Sequence, residues 1–200
     1  MLTRRHLLVC TAMTGLLLAA GPSAWAQSVP DATGFVVKLG TDLVAIVNSP
    51  GDLAEKRKRL TPIIETGIDV DGIARFCLGR YWRTATPEQQ QAYSALFHDV
   101  LLNNISSKLG QYQGVTFAPT STTQRDSDIL VGTVISRPNQ QPNTVQWVVN
   151  QVGGRPRVID VVAEGTSLRL TQRSDYAAYL SRNNNSVDAL ISAMKQQLAG

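Results

Sequence analysis

Cysteine and histidine are nearly absent. The 200-residue chain holds two of each: Cys10 and Cys77, His6 and His98. The first of each pair lies in an N-terminal stretch that reads as an export leader. Arg4 and Arg5 make a basic start with no acid nearby, residues 7–20 are apolar apart from two threonines and small residues, and Ala24-Trp25-Ala26 offers small side chains at the two positions a signal peptidase reads. The apolar run is too short to span a bilayer comfortably, and nothing else in the chain reaches transmembrane length. Cys10 sits in the middle of the run, which argues against a lipoprotein cleavage site. Thr3-Arg4-Arg5-His6-Leu7-Leu8 loosely resembles a twin-arginine export signal, general secretion needs only the same features, and the route stays open. Residues 1–26 are therefore expected to be removed as a signal peptide, leaving 27–200 as one domain in the periplasm.

That domain keeps one cysteine and one histidine, and each shortage excludes a class. No disulfide can form within the monomer, even in an oxidising compartment. A zinc site needs more such ligands than the chain offers. A Ser-His or Cys-His centre would have to use His98, which sits beside the apolar stripe of a long helix. There is no phosphate-cradling glycine loop and no dinucleotide fingerprint. The expectation is a protein without metal, cofactor or catalytic centre. Cys77 follows Phe76 in an apolar stretch and reads as core. Asp160 interrupts the apolar run at 158–162: it is either a hydrogen-bonded structural carboxylate or a general base in a small pocket. The net charge of +4 includes both leader arginines, and the mature chain is close to balance; nucleic acid is not an expected partner. Lys56-Arg57-Lys58-Arg59 is the densest charge run, either a solvated helix face or a docking patch for an acidic partner or anionic headgroups.

What is present falls into two periods. Phe35, Leu39, Leu43, Ile46 and Val47 recur at helical spacing across 31–48, and Ser49-Pro50-Gly51 stops the run. Asp52, with Glu55 three residues on, opens a second helix to about residue 65; a short third covers about 70–76. Thr86, Pro87 and Gln89 form a capping box ahead of a helix whose stripe is Tyr93, Leu96, Phe97, Val100, Leu101, Ile105 and Leu109, ended by Gly110. The period then shortens. Residues 115–118, 129–137, 144–152 and 157–163 read as strands, and Val145, Trp147 and Val149 alternate with Gln146 and Asn150 as in a sheet with one covered face. Turns at 138–143 and at Gly153-Gly154 make the last three an antiparallel meander. Two helices close the chain, at about 174–182 and after Ser186, the latter showing Leu190, Ile191, Met194 and Leu198. The expected fold is α+β, with N- and C-terminal helices packed on a curved antiparallel sheet of about four strands and an apolar cavity between the layers.

Two stretches carry a family resemblance. One is Leu78-Gly79-Arg80-Tyr81-Trp82-Arg83-Thr84-Ala85-Thr86-Pro87-Glu88-Gln89, followed by Tyr93 and Phe97. The other is Asp160-Val161-Val162-Ala163-Glu164-Gly165-Thr166-Ser167-Leu168, followed by Gln172 and Arg173. Together they resemble the MlaC-type periplasmic phospholipid-binding family, also called the toluene-tolerance auxiliary family. Thr166 departs from the aliphatic residue often found there, and the aromatic often seen before the Asp160 strand is missing near Arg157. The resemblance implies a non-enzymatic carrier with bound phospholipid as cargo. It would shuttle lipid between an outer-membrane lipoprotein complex and an inner-membrane ABC transporter complex with a ring-forming lipid-binding subunit, a system tied to outer-membrane lipid asymmetry. Acyl tails would lie between helices and sheet, against Phe97, Leu101, Ile105, Val145, Trp147 and Val149. Arg80, Tyr81 and Arg83 would frame the mouth, since an arginine binds phosphate bidentately. A hopanoid-associated branch of the family makes a hopanoid the alternative cargo; a ligand-free adaptor with a filled core is the reading from another class.

Overall fold

The computed structural model describes residues 29–199. The expected leader and its cleavage site lie outside them. The first helix, α1 (Val29–Asn48), is followed by α2 (Leu53–Gly67), which Asp52 caps by accepting the Glu55 amide at 2.8 Å. The turn between them disposes of the basic run. Lys56 is buried, and its ammonium donates at 2.7 Å to the Val47 carbonyl, one of the unpaired acceptors at the end of α1. Arg59 donates to the Ser49 hydroxyl at 2.8 Å. The run is therefore not a uniform docking face: half of it fastens α2 to the end of α1. Replacing Lys56 with methionine keeps the stem and removes the donor. A hydrogen bond from a charged group contributes about 1.5–3 kcal/mol, so the urea midpoint should fall by a shift of that order with an unchanged slope; an unmoved midpoint would mean that water serves Val47 equally well.

Next come α3 (Val70–Leu78), a 3₁₀ turn at Gly79–Arg83 and the long α4 (Pro87–Ser106). The expected capping box is complete: the Gln89 amide donates to the Thr86 hydroxyl and the Thr86 amide to the Gln89 side chain. The helix ends four residues before Gly110, and a second 3₁₀ turn covers Leu109–Tyr112.

The sheet has strands β1 (Thr116–Arg125), β2 (Asp128–Ser136), β3 (Asn143–Val152), β4 (Arg155–Ala163) and β5 (Thr166–Ser167), antiparallel throughout and in chain order. β1 runs well past its expected end at residue 118. It is an edge strand with a register shift between Pro119 and Ser121, the place where an edge tolerates proline, and its exposed serines and threonines give no alternation to read. β5 is an addition of two residues. Glu164 and Gly165 both take positive φ, 51° and 78°, the pair a tight hairpin turn needs, and they bring Thr166 and Ser167 back beside β4. Ser167 then caps α5 (Leu168–Arg182), six residues earlier than expected. The chain ends in α6 (Val187–Ala199), whose Ser186 cap accepts the Ala189 amide. Among the described residues no helix is long and apolar enough to cross a membrane.

The layers meet unevenly. α1 lies on β1 and β2, while α2, α3 and α5 reach the sheet at β4 and α4 packs against α6. At Gly40 an added Cβ would run into the Phe117 ring, so only glycine lets α1 sit this close to β1.

Candidate functional site

Among the described residues, nearly all of the buried apolar side chains fall into two clusters rather than one. The first belongs to the helices and includes Leu60, Ile64, Ala74, Tyr93, Phe97, Leu180 and Met194. The second lies between α1 and the sheet, with Val36 and Leu39 against Ile129, Val131, Val145, Trp147, Val149 and Val158. Four half-buried aliphatics, Leu43, Ile63, Ile68 and Ile135, pack against both. A domain of this size usually has a single contiguous core. Here helical interior and sheet interior are separate, joined along a seam of partly exposed apolar side chains.

The six residues expected to touch acyl tails divide across that seam. Phe97 is buried in the helical cluster, its ring centre 5.9 Å from Tyr93 and 6.4 Å from Tyr176, and Leu101 and Ile105 lie half-buried at the same cluster's fringe. Val145, Trp147 and Val149 belong to the sheet cluster. They share one face because the antiparallel register sets Trp147 beside Val131 and Val149 beside Ile129. The Trp147 indole donates at 3.0 Å to the Thr133 hydroxyl, which itself donates to the Val145 carbonyl, so the buried polar atoms on this wall are paired. Of the four seam residues only Leu43 was named from sequence, as part of a helical stripe and not as a cargo contact, because periodicity reports which residues are apolar and not whether they touch one core or two.

The expected mouth lies on the 3₁₀ turn. Tyr81 is buried in the helical cluster, and its hydroxyl donates to Asn185 at 2.7 Å. Arg80 lies 4.9 Å over the Tyr81 ring and donates to the same hydroxyl at 2.8 Å; Arg80 and Arg83 are exposed. A different opening touches the seam. A cleft of about 550 Å³ is lined by Glu65, Ile68, Asp69, His98, Arg155 and Arg157, among others. Arg157 donates to the carbonyls of Glu65 at 2.6 Å and Ile68 at 3.1 Å, the Asp69 amide donates to the Val158 carbonyl, and His98 Nε2 stands 3.4 Å from the Glu65 carboxylate. This cleft marks where the α2–α3 junction is fastened to β4.

Asp160 is placed by a bulge. Alternation along β4 would put it on the same face as Val158, in the sheet core. The register shift pairs Val149 with Val158 but Val148 with Asp160, leaving Ile159 extra and turning Asp160 to the opposite face. There its carboxylate accepts from the amides of Val161 at 2.8 Å and Arg169 at 3.1 Å and from the Ser167 hydroxyl at 2.6 Å, with Arg169 Nε at 3.5 Å. Both oxygens are engaged in holding the start of α5, which favours the structural reading over a general base. The same knot fixes Cys77, whose thiol donates to the Arg169 carbonyl at 3.5 Å. Burial, then the charge of Asp160, push that thiol up to about 12 from 9.0. Burial likewise raises the phenols of Tyr93 and Tyr176, whose mutual proximity adds to the shift of Tyr93.

All three groups are held neutral in the folded state and ionise more readily once unfolded. Their contribution to stability is therefore complete below the ordinary values of 9.0 and 10.0 and is lost as pH rises beyond them. Melting temperatures should fall steadily above pH 9, and Cys77→Ala should make the decline shallower between pH 9 and about 12. A flat profile over that range would contradict this account of the knot.

The comparisons with known proteins fit this architecture. A curated relative, the toluene tolerance protein ttg2D of Pseudomonas putida, is 28% identical over 204 residues, covering 98% of this chain and 91% of that protein. A solved structure with the same fold is a phospholipid-binding protein from Ralstonia solanacearum, in complex with a phospholipid; the TM-score is 0.75 at 23% identity, over 84% of this chain and 99% of that one. The family model for the MlaC protein matches residues 38–196, from the first helix to the last, and the chain belongs to the MlaC family.

Proposed function

We propose that this protein is a periplasmic phospholipid carrier, exported by a leader cleaved near Ala26, with no catalytic role. The observation that carries the reading is the divided core: among the described residues, two buried apolar clusters share the half-buried Leu43, Ile63, Ile68 and Ile135. Acyl tails entering along this seam would meet Phe97, Leu101 and Ile105 on the helical side and Val145, Trp147 and Val149 on the sheet side. Arg80, Tyr81 and Arg83 remain the proposed mouth; the cleft beside Ile68 holds Arg155 and Arg157 but also Glu65, Asp69 and Asp71, so it offers no net positive rim. The phospholipid bound by the Ralstonia protein of the same fold supports this choice of cargo. Against an enzyme stand the engaged carboxylate of Asp160 and the thiol of Cys77, kept protonated by burial.

Physics explains why a carrier is needed. Exposing acyl chains to water costs roughly 0.8 kcal/mol per methylene, so two chains of a phospholipid amount to on the order of 20 kcal/mol. A protein need only offer an interior about as favourable as the bilayer, and direction then comes from its partners. Those proposed are the outer-membrane lipoprotein complex and the inner-membrane ABC transporter complex of the family, with its ring-forming lipid-binding subunit.

The test is mass spectrometry of an organic extract of protein purified without detergent. Diacyl phospholipid near one per chain is expected. A polycyclic lipid in its place would assign hopanoid as cargo; no lipid at any substantial fraction would leave a ligand-free adaptor and overturn the carrier.

A further inference from the structure

The segments around the two motifs that carry the family resemblance meet on one surface. Residues 75–83 hold Arg75, Arg80 and Arg83, residues 167–174 hold Arg169 and Arg173, and neither segment contains an acid. α3 and α5 pack side by side. Phe76 lies between two guanidinium groups, Arg169 at 4.6 Å and Arg173 at 4.8 Å from its ring centre, while Arg75 lies 4.9 Å over Trp82. Arg173 also donates to the Phe76 carbonyl at 3.2 Å and lies against Gly79, whose φ of 59° suits glycine. Leu168 and Leu170, in the first turn of α5, are 52% and 56% exposed. A single exposed leucine is ordinary. Two in one turn, among arginines already laid on aromatic rings, are not accounted for by folding. Asp71, Glu164 and Asp175 flank the segments and Asp160 pairs with Arg169, so the local excess of positive charge is modest and apolar contact has to contribute.

We propose that this face docks the carrier on the anionic surface of a phospholipid bilayer. The inference rests on the carrier reading, since such a protein must meet the membranes or complexes it serves. Guanidinium edges bind headgroup phosphates bidentately, and ring stacking holds them ready to do so. Leucines beside them enter the boundary between headgroups and acyl chains, the composition of segments that lie in a membrane interface. A bilayer supplies phosphate and apolar matter together at every point. An acidic protein would have to set an apolar patch of its own against both leucines.

The experiment is cosedimentation of the cargo-loaded protein with vesicles of phosphatidylethanolamine containing phosphatidylglycerol, at low and high salt. Wild type should bind at low salt, more weakly at high salt, and weakly to vesicles of phosphatidylcholine alone. Leu168→Ser with Leu170→Ser, and separately Arg75→Glu with Arg173→Glu, should each lower the partition coefficient roughly tenfold with unchanged circular dichroism and lipid content. The leucine pair keeps the test open if the charge reversals disturb α5. Absence of wild-type binding at low salt, or full binding by folded variants, overturns the proposal. So does unchanged vesicle binding with lost transfer to a protein acceptor, which would assign the face to an acidic protein. Lipid content is read separately, so a failed carrier and a failed docking face give different results.

Discussion

Replacing Asp160 with alanine should destabilise the protein by about 3–5 kcal/mol, the usual cost of removing one partner from a buried charge pair. The carboxylate is 6% exposed and serves three hydrogen-bond donors. Arg169 Nε is buried without a hydrogen bond, held to Asp160 at 3.5 Å by charge alone, and alanine would leave it with no counter-charge. Because domains are stable by only about 5–15 kcal/mol, roughly a fifth or more of the total is at stake. Asparagine keeps the shape and one acceptor oxygen and should cost less. Urea denaturation of wild type and both variants, at matched lipid content, checks the order. If Asp160→Asn instead changed the cargo while stability held, Asp160 would belong to the binding site and not to the knot that fixes α5.

Stripping the bound lipid should lower the melting temperature by several degrees and loosen the helix layer. Both tails would occupy on the order of 1,000 Å³, large among ligand pockets. A void of that size, at roughly 24 cal/mol per Å³, would exceed the whole stability of an ordinary domain. The empty protein must therefore close partly. The half-buried seam residues Leu43, Ile63, Ile68 and Ile135 can pair across the gap as it narrows. Lipid that binds only the folded state contributes about 2.7 kcal/mol at a hundredfold excess over its Kd, and a kilocalorie moves the midpoint of a domain this size by roughly 2–4 °C. Amide exchange should quicken in α4 and the turn after it, around residues 93–109, where Leu101 and Ile105 lie half-buried at the fringe of the helical cluster. Phospholipid added back should restore both. Equal melting and equal protection in loaded and stripped protein would mean that the interior is filled by its own side chains.

Several features were legible because their causes are local. Thr86, Pro87 and Gln89 announce α4 through contacts within one turn, and Gly153 and Gly154 supply the positive φ of 59° and 76° that the β3–β4 turn needs. Alternation at Val145, Trp147 and Val149 gave their shared face, since side chains in a strand change sides at every residue. Near-absence of cysteine and histidine left few residues from which a disulfide, a zinc site or a histidine-dependent centre could be built, before any fold was known.

Tertiary structure decided the rest, in each case through a partner distant in the chain. Lys56 looks like surface until the end of α1 supplies a carbonyl for it. Asp160 alternates into the core until a bulge turns it toward Ser167 and Arg169. The start of α5 could not be read from its own pattern, because Leu168 and Leu170 face solvent and its cap, Ser167, is fixed by pairing with β4. Sequence determined which residues are apolar and which elements they form. Only the packing of α1 on one part of the sheet and the remaining helices at another divided those residues into two cores, because burial depends on how far apart the layers stand, and spacing along a chain carries no record of that distance.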